Sequence, residues 1–89
     1  MDKKQIIKKL VSKKIIREET EMEVEHTVTG FGSTPFPVKG VFAIDTVIDD
    51  SHFRGRSIED GEYLDFTSEQ VYQIDGMEPQ KLAKAFNIK

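Results

Sequence analysis

The sequence predicts a mainly β domain with a helix at each end, in the order helix, five strands, helix. It would close as a small SH3-like or OB-like barrel or form a strongly bent antiparallel sheet. Three observations predict this. The hydrophobic period is helical at the N-terminus, alternating from about residue 16, and helical again after Pro79. Short β-type runs in the middle are separated by Gly, Pro and Asp-Gly steps. The chain has 89 residues and no cysteine, so it makes one domain that relies on packing alone. An α+β sheet packed by helices on one side is the alternative.

The first helix is predicted over residues 2–13. Ile6, Ile7, Leu10 and Val11 recur on one helical face, and Lys14 would fall inside that apolar arc. A helix this short is marginal alone and must dock its stripe. The first strand is predicted over about 16–29. Ile16, Met22, Val24, His26 and Val28 share one face, while Glu19, Glu21, Glu23 and Glu25 share the other. Residues 30–37, "GFGSTPFP", read as a loop.

A strand over about 39–49 has apolar residues in both phases, Val41, Ala43 and Val47 against Phe42, Ile44 and Ile48. That pattern predicts a central strand buried on both sides. Glu59-Asp60-Gly61 predicts a hairpin between strands at 52–58 and 62–67. A last strand at 70–75 ends at Asp75-Gly76, and Pro79 opens a helix over 79–87.

Charge is segregated along the chain. The net formal charge is −3, but residues 1–17 carry +6, residues 18–79 carry −12 and residues 80–89 carry +3. The basic ends are expected to fold back on the acidic middle, or one pole to meet a charged partner. No apolar run approaches the roughly 20 residues of a bilayer span. The basic N-terminus lacks the apolar stretch of a signal peptide. A cytoplasmic protein with no membrane partner is the expectation.

The residues offer little catalytic chemistry. Without cysteine there is no disulfide, thiolate metal site or thiol nucleophile. His26 and His52 stand outside any metal-binding spacing, so no metal or cofactor is expected. None of the five serines lies in a G-x-S-x-G elbow, and no Gly-rich loop opens a helix. The expectation is a protein that is not an enzyme.

Two contact surfaces compete. The first is a protein-binding surface formed by Phe31 and Phe36 in the Gly/Pro-rich loop with Glu19, Glu21, Glu23 and Glu25 beside it. Aromatics in a loop are contact candidates, and Pro-flanked Phe36 loses little entropy on binding. Both rings could instead plug a barrel end. The Glu row must face water or cations: a solvated edge, the chain's own basic helix, or a basic partner.

The second surface is a nucleic-acid site using Arg54 and Arg56, two residues apart on one strand face around Gly55, with Lys8, Lys9 and Lys13 of the first helix. The two arginines could instead pair with acids across the sheet. The ending, "QKLAKAFNI", resembles the first helix of helix-turn-helix motifs over about ten residues. Only Lys89 follows Ile88, so a closing helix with Asn87 at its C-terminal end is predicted. The leading expectation is therefore a small accessory protein that acts on an unidentified protein partner by contact.

Overall fold

Helix α1 (Lys3–Ser12) starts on a reciprocal cap. The Asp2 carboxylate accepts from the Gln5 N–H at 2.8 Å, and the Asp2 N–H donates to Gln5 Oε1 at 3.2 Å. At its other end Lys14 takes a left-handed φ of +64°, and the Ile15 N–H returns to the Leu10 carbonyl at 3.0 Å. The computed structural model describes residues 1–29, 32 and 34–88.

The cap sets a boundary that periodicity misplaced. Residues 16–20 do not extend the first strand: Thr20 donates back to the Arg17 carbonyl, and Glu19 has φ +73°. Ile16 is buried, but from this turn. Strand β1 is Glu21–Val28.

Then follow β2 (Phe36–Val47), β3 (His52–Ser57), β4 (Tyr63–Thr67), a 3-10 turn (Ser68–Gln70), β5 (Val71–Ile74) and helix α2 (Pro79–Ala85). The β3–β4 hairpin turns through Glu59-Asp60-Gly61, with Gly61 at φ +77°. Asp75 and Gly76, both at positive φ, turn the chain after β5. Helix α2 ends as α1 does: Asn87 has φ +56° and the Ile88 N–H reaches the Ala83 carbonyl at 2.7 Å.

All strand pairings are antiparallel, in the order β4-β3-β2-β1-β5. The predicted SH3-like or OB-like barrel, or strongly bent sheet, is thereby corrected to an open sheet flanked by two helices. A barrel closes only when its outermost strands pair. Here β4 and β5 are the two edges and do not pair with each other. The helices supply the apolar cover: Ile6, Ile7 and Leu10 of α1 and Leu82 and Ala83 of α2 join one core with Met22, Val24, Phe42, Ile44, Phe53, Phe66, Val71 and Ile74.

That core lies on one side of the sheet. Phe42 pairs with Met22, Phe53 with Phe66, and Ile44 with Gly55, so one phase of each strand faces it. The prediction that β2 is buried on both sides is corrected as well. Phe42 and Ile44 are buried, but Val41 is 40% exposed on the other side. An irregularity between Ile44 and Thr46 shifts the phase, which brings Val47 to the core edge and leaves Ile48 exposed.

Candidate interaction surfaces

The β1–β2 hairpin outruns its neighbours. β5 pairs with β1 only over Met22–Val24, and β3 pairs with β2 only from Phe42 onward. Beyond that, Glu25–Val28 and Phe36–Lys39 pair solely with each other, as a two-stranded ribbon. The molecule measures 46 × 22 × 21 Å.

The ribbon's core-side phase carries Val28 opposite Phe36 and His26 opposite Val38. Val28 and Val38 are half-buried and Phe36 is 47% exposed. Phe36 therefore does not plug an open end; it belongs to β2, three residues before the predicted start of that strand. Phe31 lies outside the described residues. The ribbon's base is held by the His26 ring standing edge-on to Phe42, with centroids 5.5 Å apart. Gly40 leaves room for this contact, since a Cβ there would come within 3.2 Å of the Phe42 ring.

Glu21, Glu23 and Glu25 occupy the opposite phase of β1. Glu19 is not part of that row, because its turn precedes the strand. None of the three carboxylates forms an ion pair with a described residue. Glu25 instead accepts a 2.5 Å hydrogen bond from the Tyr72 hydroxyl, which holds that phenol above its usual pKa. Lys39 Nζ lies 4.1 Å from the centroid of the same ring, and Lys3 Nζ lies 5.5 Å from it. Phe36 and the Glu row thus face opposite sides of one ribbon. Alternation makes both legible, but the sequence reading placed them on one surface.

The basic candidates are also split. Arg54 on β3 clamps Asp65 on β4 with two bonds, Nε–Oδ1 at 2.8 Å and Nη2–Oδ2 at 3.2 Å. The pairing holds Asp65 below and Arg54 above their usual values. Arg56 has no such partner among the described residues and sits beside Tyr63, which is 58% exposed. Gly55 between them offers no opening, for the Cβ of Phe42 and the ring of Phe66 crowd its other side. Lys8 and Lys9 are exposed on α1 and Lys13 at its C-cap, and α1 packs against the other face of the sheet. Lys8 approaches Asp50 at 3.8 Å.

Ser51, His52 and Asp49 come together in the β2–β3 turn, the nearest approach to a catalytic arrangement. His52 Nδ1 lies 2.9 Å from Asp49 Oδ1 and 3.2 Å from Ser51 Oγ. A serine nucleophile needs the carboxylate on one ring nitrogen and the hydroxyl on the other. Here both crowd the same nitrogen, so Ser51 is not activated. The cluster instead ties the turn: the Ser51 N–H and then the His52 ring hold the Asp49 carboxyl down to about 2. No group of three or more His, Cys, Asp or Glu suited to a metal ion occurs among the described residues. No described helix is long and apolar enough to cross a membrane.

No protein-family model, curated protein or solved structure matches the chain.

Proposed function

We propose that this chain is a binding module without catalysis of its own, and that the projecting β1–β2 ribbon is its contact element on a protein partner. One observation carries the reading: Phe36 stands half in solvent beside Val28 and Val38, with no helix over it. Contiguous exposed apolar side chains on a small domain mark sites of contact. Pro35 and Pro37 restrict the backbone around Phe36, which lowers the entropy lost when a partner orders it. Glu21, Glu23 and Glu25 offer a basic partner the ribbon's second side, which it reaches by wrapping the edge. A cytoplasmic site of action belongs to the same reading and fits a chain without cysteine.

The test is affinity capture from the native cell with the parent chain, Phe36→Ser, and Glu21→Gln with Glu23→Gln, each checked by circular dichroism. A protein retained by the parent and lost by folded Phe36→Ser supports the reading. Equal retention by Phe36→Ser overturns it. Shift of a labelled oligonucleotide at low salt, abolished by Arg56→Ala, would transfer the function to the nucleic-acid surface.

A further inference from the structure

β4 forms one edge of the sheet, and the hydrogen bonds define what that edge offers. At one end of the β3–β4 ladder the Ser57 N–H donates to the Glu62 carbonyl at 2.8 Å, and at the other the Ser68 N–H donates to the Ser51 carbonyl at 3.0 Å. The register between them runs without a shift. Antiparallel ladders alternate residue by residue, so Leu64 and Phe66 direct their backbone groups to β3, while Tyr63, Asp65 and Thr67 turn theirs outward. Gln70 Oε1 takes the Thr67 N–H at 3.0 Å. No described residue bonds the outward groups of Tyr63 and Asp65. Two hollows flank them. On the core side, Ile48, Phe53 and Phe66 supply apolar walls to one of about 350 Å³, and Ile48 is 53% exposed. On the uncovered face, Asp45, Arg54, Tyr63 and Asp65 line the other. Arg54 is neutralised by Asp65, and Asp45 has no ion pair among the described residues, so this side is net negative. Glu59, Asp60 and Glu62 add to it at the hairpin end.

We propose that β4 takes up an extended segment of a protein partner as a sixth strand, antiparallel like the other pairings, with lysine or arginine alternating with apolar residues. The surface is separate from the ribbon, so the inference does not depend on the reading of Phe36. A row of unpaired edge donors and acceptors is matched by an extended backbone, and pockets for alternate side chains set the sequence. The partner residues opposite Tyr63 and Asp65 exchange backbone bonds with them and lie on the uncovered face. There the charge of Asp45 and the exposed Tyr63 ring favour a cation. The partner residues opposite Leu64 and Phe66 point to the core side, where an apolar side chain fills the hollow beside Ile48. A second copy of β4 does not suit this edge, because it would bring two acidic rims together.

The probe is a seven-residue peptide with blocked ends in which lysine alternates with valine, titrated into the full chain and followed by NMR. Saturable shifts and slowed hydrogen exchange are expected at the Tyr63 and Asp65 amides. N-methylation of the peptide's lysines, whose N–H groups face β4, should weaken binding by about tenfold or more. N-methylation of its valines, whose N–H groups point away, should weaken it far less. Tyr63→Pro removes an edge donor that bonds nothing within the fold, a position where Pro is tolerated, and should weaken binding as lysine methylation does. Circular dichroism checks its folding; if it unfolds, the two methylated peptides decide the matter on the parent chain. Absence of saturable binding at millimolar peptide, shifts confined to Glu21, Glu23 and Glu25, or equal affinity of the two methylated peptides overturns the proposal. Dimerisation of the parent chain that Tyr63→Pro abolishes would give the edge to a second copy and overturn it as well. Each of these results leaves partner capture through Phe36 standing, which Phe36→Ser tests separately.

Discussion

Val28 stands directly across from Phe36 at the outer end of the β1–β2 ribbon, on the side away from the carboxylates of Glu21, Glu23 and Glu25. The pair continues the core phase of its strands past the point where the helices stop covering it. Met22 and Val24 in that phase are fully buried, while Phe36 is not. Position along the strand, not residue type, separates a core side chain from a contact one.

Phe36→Ser should therefore change stability by about 0.5 kcal/mol or less, as at other exposed positions. Phe53→Ala, at a fully buried site, should cost about 3–5 kcal/mol. Urea unfolding followed by circular dichroism gives both values. A large loss for Phe36→Ser would mean that the ribbon packs on the body.

Gly55→Ala should destabilise despite its small size. An added Cβ would lie 2.8 Å from Phe42 Cβ and 2.9 Å from Phe66 Cε1, and neither ring can withdraw from the packed core. Overpacking of this kind costs about 1–3 kcal/mol. The same urea titration reads it, and a neutral result would show that the two rings repack.

Asp49→Ala should lower the melting temperature near neutral pH and cease to matter in strong acid. The carboxyl titrates at about 2 in the folded chain against an ordinary 3.8, so its anion favours the folded state. That contribution is complete above the ordinary value and disappears as pH falls through about 2. Melting curves of the parent and variant should converge over that window. A gap that persists at pH values well below 2 would assign the loss to something other than this charge.

Glu25→Gln should bring the Tyr72 phenol down toward its ordinary value of 10.0. The hydrogen bond to an anion, followed by the charge itself, now opposes ionisation of that phenol. Spectrophotometric or NMR titration of Tyr72 in the two proteins measures the change. An unaltered titration would mean that the 2.5 Å contact does not persist in solution.

The element order was legible because each element announces its own period: Ile6, Ile7 and Leu10 at helical spacing, Met22 and Val24 in alternation, Asp60-Gly61 at the hairpin. Those signals are local, and the backbone geometry that produces them is local too. Closure is not local. Nothing between Glu21 and Ile74 says whether β4 and β5 will meet, because that depends on whether the apolar phase is completed by the sheet itself or by α1 and α2. Alternation tells Phe36 from Glu25 as two sides of a strand, yet it cannot say where the helices end along that strand. Only packing decided that Met22 is core and Phe36 is surface, that Gly55 makes room for two rings and not for a ligand, and that Arg54 is committed to Asp65. In each case the deciding contact joins residues from different strands, or from a strand and a helix, whose juxtaposition no short stretch of sequence encodes.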